Sequence, residues 1–358
     1  MNQPLSVPRR DVIRWGIIGC GDVTEVKSGP ALQLAQGSQL MAVMRRNGAL
    51  AADYAKRHGV PRWYDDARSL VNDPEVDAVY VATPPGAHLE GAKLAAAAGK
   101  PAYVEKPMAR HAPECAAMLT AFAGARQKLF VAYYRRALPR FLKVRELLVQ
   151  GAIGPLTSVT YRMATAGHLT TSQAQLPWRL KADDAGGGLL LDVGSHTLDL
   201  LDFFCGPLTG IHGCAANLVT PGEVEDAVAM TFRTATGIPG AATWNFASFV
   251  PEDSLEFTGT TGRITFSVFG NEPVTLKTAA GVESFDLPNP KHIQQPMIQT
   301  VVDDLLGRGH CESTGESAQR TNVVMDQILS DYYGGRQDAF WARPDTWPRS
   351  NVNPRHPR

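Results

Sequence analysis

The chain has no surplus of either charge: 35 lysines and arginines stand against 35 aspartates and glutamates in 358 residues. Proteins that grip nucleic acid or anionic membrane surfaces usually carry a basic excess, so neither is expected as the main partner. An uninterrupted apolar run of the roughly 20 residues that a membrane-crossing helix needs is missing too. Cysteine is sparse. Cys20, Cys115, Cys205, Cys214 and Cys311 are odd in number and far apart, without disulfide-framework or metal-ligand spacing. Reduced thiols in a cytoplasmic protein are the reading that fits. The pair Arg9-Arg10 hints at an export signal, but the apolar stretch behind it runs straight into a glycine-rich loop and reads as a core strand. A short leader ahead of the fold is expected instead. There are no internal repeats.

What is present is enough apolar material, 44% of residues, for about two packed domains. In the first third, apolar strands at 13–19, 39–44, 78–82, 101–105 and 129–134 alternate with helical segments at 49–58, 88–98 and 112–125. Such alternation predicts right-handed βαβ units and a parallel sheet. After Leu138 a helix over 139–150 leads into stretches rich in threonine, valine and aromatics, among them SVTYRMA, AVAMTFRT, GAATWNFA and RITFSVF. These predict a large, mostly antiparallel sheet with helices on one face, closed by helices at 297–306 and 316–331. The tail beyond Trp341, rich in proline and arginine, is expected to run extended or wrapped over the surface.

The first strand ends in Gly19-Cys20-Gly21-Asp22-Val23-Thr24, a variant of the dinucleotide fingerprint opening a βαβ unit. Gly19 permits the tight turn, and Gly21 lets the backbone approach a pyrophosphate at a helix N-terminus. Thr24 replaces the third glycine, which mainly serves packing. Residues 1–135 are therefore read as a Rossmann domain, a doubly wound parallel sheet, and 136–358 as an α+β domain for substrate binding and oligomerisation. Where an NAD-preferring domain usually has an acidic residue, twenty-one residues past Thr24, stand Arg45 and Arg46. A guanidinium fork suits a 2′-phosphate, which favours NADP, with NAD possible.

Chemistry is expected beyond the carboxyl ends of the strands. Thr83 and Pro84 open a rigid turn that ends at His88 and could line the nicotinamide side. Lys106, held extended by Pro107, could polarise a carbonyl or share a proton; a solvated surface lysine is the plain alternative. The stretch GGGLLLDVGSHTLD (186–199) puts Asp192, His196 and Asp199 at i, i+4 and i+7 on one helix face, with glycines ahead that admit a ligand or backbone. A histidine beside a carboxylate makes an acid/base pair, unless it is a core histidine satisfied by Asp199. No further ligand completes a metal site there, so no metal is expected.

Together these motifs resemble the Gfo/Idh/MocA family of oxidoreductases over nearly the whole chain. The triplet Glu105-Lys106-Pro107 and the 186–199 stretch carry the resemblance, with Trp178-Arg179, the GAIG segment at 151–154 and the ESAQRTNVVMDQILSDYY helix in support. The resemblance implies that Lys106 and His196 form the catalytic pair, with Asp192 bonding the substrate or orienting them, and that Glu105 lies at the cofactor. It implies hydride transfer between C4 of a nicotinamide and an alcohol or ketone of a sugar, cyclitol or related polyol, in a homodimer or homotetramer. In the reductive direction His196 would protonate the developing alkoxide. The alternative is a catalytically silent, dinucleotide-binding regulatory protein of the same fold; retention of Lys106 and His196 speaks against it. Tyr133, Tyr134, Arg135, Arg136, Tyr161, His168, Trp178 and Arg179 could face a polyol or belong to core and interface, with Tyr161, Trp178 and Arg179 preferred as substrate contacts.

Overall fold

The computed structural model describes residues 11–166 and 176–347; Arg9, Arg10 and His168 lie outside them. Six strands, β1 (Ile13–Ile18), β2 (Ser38–Met44), β3 (Arg62–Tyr64), β4 (Ala78–Val81), β5 (Ala102–Val104) and β6 (Leu129–Val131), form a parallel sheet. Their order is β3-β2-β1-β4-β5-β6. Helices α1 (Asp22–Val26), α2 (Gly29–Leu34), α3 (Gly48–His58), α4 (Ala67–Val71), α5 (His88–Ala97) and α6 (Ala112–Ala125) supply the crossovers. Because helices cover both faces, every residue of β4, β5 and β6 is buried. That is why these strands read as unbroken apolar runs and not as alternations. The strand order reverses between β1 and β4, and the loops leaving those two strands border the crevice where doubly wound sheets take ligands.

Helix α7 (Pro139–Val149) leads into the second sheet. Its strands are β7 (Leu156–Ala164), β8 (Thr209–Ala216), β9 (Ala227–Arg233), β10 (Pro239–Asn245), β11 (Glu252–Gly259), β12 (Gly262–Phe266), β13 (Val274–Thr278) and β14 (Gly281–Phe285), in the order β14-β13-β12-β11-β7-β10-β9-β8. Pairing is antiparallel throughout except for β7 beside β10, which run parallel. Between β7 and β8 come the short α8 (Ala182–Ala185), a π-helical turn at Leu190–Gly194 and α9 (Ser195–Cys205). Tyr161, Trp244, Leu255 and Phe257 alternate inward and form the buried face. The outer positions, such as Thr160, Arg162 and Thr243, stay exposed.

Two more helices end the fold, α10 (Gln295–Leu305) and α11 (Gly315–Tyr333). They return to the first sheet: α10 packs on α2, and α11 on α6 as well as on α9 and β8. Ser313 completes β6 from outside, accepting the Val131 N–H at its carbonyl (3.0 Å) and donating its hydroxyl to the Val131 carbonyl (2.7 Å). The expected strand at 129–134 stops at Val131, where the Tyr133 N–H turns back to the Val131 carbonyl (2.8 Å), and Tyr134–Ala137 forms a 3-10 turn. The tail departs from expectation as well. Phe340 and Trp347 are buried, each with its ring 4.7 Å from that of Tyr333, so the stretch from Phe340 to Trp347 closes a core instead of trailing over the surface, while residues 348–358 lie outside the described residues. No helix among the described residues is long and apolar enough to cross a membrane.

One buried ion cluster ties the junction between the sheets to α9. Arg136 donates to both oxygens of Asp199, Nε to Oδ2 at 2.8 Å and Nη2 to Oδ1 at 2.7 Å, and also reaches Asp202 at 3.2 Å. Arg320 of α11 grips Asp202 from the far side with two contacts of 2.7 Å. Removing the central cation strands the enclosed Asp199 carboxylate and leaves Asp202 to Arg320 alone. Arg136→Met should therefore cost about 3–5 kcal/mol of stability, read as a lower denaturant midpoint; a midpoint within error of the parent would refute the cluster's importance.

Candidate active site

The loop after β1 is shaped by close approach. Gly19 has φ +89, and a Cβ there would meet Thr83 Cγ2 at 2.7 Å and the Thr83 nitrogen at 3.0 Å, so the loops leaving β1 and β4 touch through a bare backbone. Gly21 faces open space, with only the Gly19 carbonyl as near as 4.0 Å. A chain of atoms such as a pyrophosphate fits beside it without a side chain in the way. Thr24 is fully buried and caps the turn: its hydroxyl accepts the Gly21 N–H (3.0 Å) and donates to the Gly21 carbonyl (2.7 Å). The close helix packing ascribed to a third glycine falls instead on Gly29, whose absent Cβ would lie 2.2 Å from the Thr24 carbonyl and 2.4 Å from the Tyr54 hydroxyl. At the rim Asp22 is exposed and Val23 half-buried. Arg45 and Arg46 project from the end of β2, exposed and without an ion pair among the described residues. Thr83 keeps a buried hydroxyl with no hydrogen-bond partner among the described residues, ahead of the rigid Pro84. An open cradle, an orphaned hydroxyl and free guanidinium groups on one rim fit a dinucleotide.

Two residues expected at the cofactor are enclosed by protein. His88 has no exposed surface; its ring lies between the Thr83 carbonyl (2.7 Å) and the Pro107 carbonyl (3.0 Å), which ties the β4 loop to the β5 loop. Glu105 is buried beneath Lys106. One of its oxygens accepts from Tyr80 (2.5 Å) and from Gln294 (2.7 Å), the other from the Lys106 N–H (3.1 Å). Both residues brace the loops; His88 leaves no surface for a ligand, and the Glu105 oxygens are taken up by protein donors. Gln294 comes from nearly 190 positions downstream, and no local pattern in the sequence points to it.

Braced in this way, Lys106 projects from the end of β5 to the π-helical turn. Its Nζ donates to the Asp192 carbonyl and to Asp192 Oδ1, both at 2.7 Å. Arg179, stacked 4.5 Å over the Trp178 ring, takes the other oxygen through Nε at 2.9 Å. Burial acts to raise the Asp192 pKa, but Lys106 and Arg179 outweigh it and hold the carboxylate below its usual range. The glycines ahead of this turn serve protein backbone and not a ligand. A Cβ on Gly186 would strike Arg110 Cα at 2.6 Å, and one on Gly188 the Glu225 carbonyl at 2.2 Å. Glu225 also accepts the Gly188 N–H with both oxygens at 3.0 Å, anchoring the start of the turn.

His196 follows at the first turn of α9, 4% exposed, walled by the rings of Tyr133, Tyr134 and Phe269. Asp199 is not its partner, being held by Arg136. Nδ1 of His196 has no hydrogen-bond partner among the described residues. Burial first, and then the charges of Lys106, Arg135 and Lys27, push its pKa well below 6.5. The expected histidine beside a carboxylate is thus a neutral imidazole among cations. Tyr161, expected at the substrate, is a core residue: it is 1% exposed, packs on Trp244 and donates its hydroxyl to Asp253 at 3.1 Å.

Comparison with known proteins is consistent over both sheets. Residues 13–133 match the family described as "Oxidoreductase family, NAD-binding Rossmann fold", and residues 141–265 match the "GFO/IDH/MocA C-terminal domain". An oxidoreductase of Formosa agariphila is 37% identical over 88% of this chain and 97% of its own length. The chain belongs to the Gfo/Idh/MocA family of oxidoreductases. The 1,5-anhydro-D-fructose reductase of Ensifer adhaerens is 28% identical over 85% of this oxidoreductase and 91% of its own length. Among solved structures, levoglucosan dehydrogenase in complex with NADH and levoglucosan superposes with a TM-score of 0.81 at 22% identity, covering 89% of this chain and 96% of that one, a match of fold.

The contact between the two loops gives a direct test of the cradle. Gly19→Ala should separate the β1 and β4 loops and weaken dinucleotide binding at least tenfold, measured by quenching of intrinsic fluorescence. Gly59→Ala keeps a strained φ of +65 but has no neighbour within 4 Å, and it serves as the control. Equal dinucleotide affinity in both variants would show that the loop contact is irrelevant to binding.

Proposed function

We propose that this oxidoreductase moves a hydride between C4 of a nicotinamide and a secondary alcohol or ketone of a sugar, cyclitol or related polyol. The observation that carries the reading is the ion pair of Lys106, from the loop after β5, with Asp192 of the π-helical turn, together with the charge of Lys106 acting on His196 of α9. The names of related proteins, reductases and dehydrogenases of anhydro-sugars, support the substrate class. Gly19, Gly21, Asp22, Val23 and Thr24 would hold the dinucleotide, with Thr83 and Pro84 across the crevice and Arg45 and Arg46 at its ribose end. When bound, the nicotinamide supplies or takes up the hydride.

The chain's own groups handle the proton. Lys106 Nζ has three N–H donors and spends two on Asp192, leaving one for the substrate oxygen. A neutral His196 is ready to accept the hydroxyl proton, which suits alcohol oxidation in the resting protein; reduction requires it to be loaded first. Asp192, fixed by Lys106 and Arg179, orients the ammonium. Preference for NADP rests on Arg45 and Arg46 in place of an acidic residue. A cytoplasmic homodimer or homotetramer completes the reading, supported by five unpaired cysteines and by the exposed outer face of the second sheet.

Lys106→Met should lower turnover at least a hundredfold while dinucleotide affinity is kept; unchanged turnover would remove Lys106 from the chemistry. Arg45→Asp should weaken NADPH binding and relatively improve NADH in paired fluorescence titrations, and an unaltered ratio would reduce the arginine to solvated surface. For alcohol oxidation, the imidazole must be neutral and its pKa lies below 6.5. Rate should therefore persist as pH falls through 6.5 and decline only beneath it, and that acidic limb should vanish in His196→Gln. A limb centred above 6.5 would contradict the neutral resting state.

A further inference from the structure

Arg135 stands beside His196 and has little to hold it there. It is 7% exposed, and among the described residues its guanidinium makes a single hydrogen bond, Nη1 to the Val268 carbonyl at 2.7 Å. Nε is buried without a partner among the described residues. No carboxylate pairs with it among the described residues. The acid whose charge reaches it, Asp253, already has its oxygens engaged: Oδ1 by the Tyr161 hydroxyl (3.1 Å), Oδ2 by the N–H groups of Phe269 (2.6 Å) and Gly270 (3.3 Å). The two neighbouring buried arginines are treated differently. Arg136 grips two carboxylates, and Arg140 binds the carbonyls of Gly270 and Glu272 and the Ser267 hydroxyl. Enclosing a guanidinium without a matching anion is strongly unfavourable, so a buried cation left open calls for a partner that arrives from outside.

Its position says where that partner sits. The guanidinium lies 4.3 Å over the Phe269 ring and 5.4 Å from that of Tyr134. The His196 imidazole packs edge-on against the same two rings, at 5.9 and 5.2 Å. Arginine and histidine therefore share one aromatic wall, on the side formed by the second sheet's Val268–Gly270 loop. Around His196 the charges of Lys106, Arg135 and Lys27 converge, while the Asp192 carboxylate is divided between Lys106 and Arg179. The crevice is short of negative charge.

We propose that Arg135 receives a carboxylate of the substrate, so that this oxidoreductase acts on sugar acids in preference to neutral sugars. The inference rests on the oxidoreductase reading above and narrows its substrate. A planar carboxylate matches the two-pronged guanidinium. One guanidinium against aromatic rings fits a monoanion; a dianionic phosphate would require a cluster of donors.

The test uses matched pairs that differ only at C6: D-glucuronate against D-glucose, and D-galacturonate against D-galactose. The purified full chain is assayed with NAD and with NADP, and binding of each compound to the chain saturated with oxidised dinucleotide is followed by calorimetry. The expected result is a kcat/KM, or a binding constant, at least tenfold higher for the uronate of a pair. In Arg135→Met that ratio should fall toward one, and Arg135→Lys, which keeps the charge but loses the fork, should retain part of it. Turnover of neutral sugars with no preference for the uronates would overturn the inference and leave the oxidoreductase reading intact. A uronate preference that survives undiminished in a folded Arg135→Met would overturn the role of Arg135. If calorimetry detects no uronate binding in the parent, the proposal also fails. Absence of both dinucleotide binding and turnover would fell the oxidoreductase reading itself.

Discussion

The paired contact from Lys106 Nζ to Asp192 joins the two halves of the molecule at the point where chemistry is expected. Lys106 belongs to the loop after a parallel strand, Asp192 to a π-helical turn between strands of a different sheet. Neither position is informative alone. Each is held by residues that never face the crevice: Glu105 with Tyr80 and Gln294 beneath the lysine, and Glu225 at the Gly188 N–H ahead of the aspartate. A buried carboxylate that accepts several hydrogen bonds fixes backbone direction more firmly than a surface contact does. The Lys106–Asp192 pair is in effect suspended between two such anchors.

The parallel sheet was readable because its strands are buried on both faces and punctuated by glycine. Helix 112–125 has the bounds expected of it, and Gly59 and Gly99 close their helices with φ near +65. Short or small-residue strands were not readable. Strand β3 has three residues, β8 is the glycine- and alanine-rich TGIHGCAA, and β14 is an exposed edge; none shows an apolar period that local reasoning could find. Long-range pairing decides them.

The site divides along the same line. Gly19, Gly21, Lys106, Asp192 and His196 announced themselves through motif spacing, and the structure brings the last three together. What spacing could not tell was which neighbour each would keep. Asp199 sits one turn from His196 in sequence yet belongs to Arg136, because a buried guanidinium attracts carboxylates more strongly than a neutral imidazole does. His88 and Tyr161 carry the right chemistry for a site, but their surroundings close over them. Conversely Gln294 and Phe269 reach the site from the far end of the chain, where nothing local marks them. Polar residue type proposes a role, and burial assigns it.

Strand β6, at the edge of the first sheet, is completed by Ser313, 182 positions further on, and α10 and α11 then lie against that domain. The nucleotide-binding half therefore cannot finish folding when its own residues have left the ribosome. It must wait, with one side incompletely covered, until nearly the whole polypeptide has been synthesised. Sequence distances of this size slow folding, and they expose apolar surface to aggregation during synthesis. A gene cut after the first domain would encode every residue of the dinucleotide loop and still lack the last pieces of the sheet that supports it.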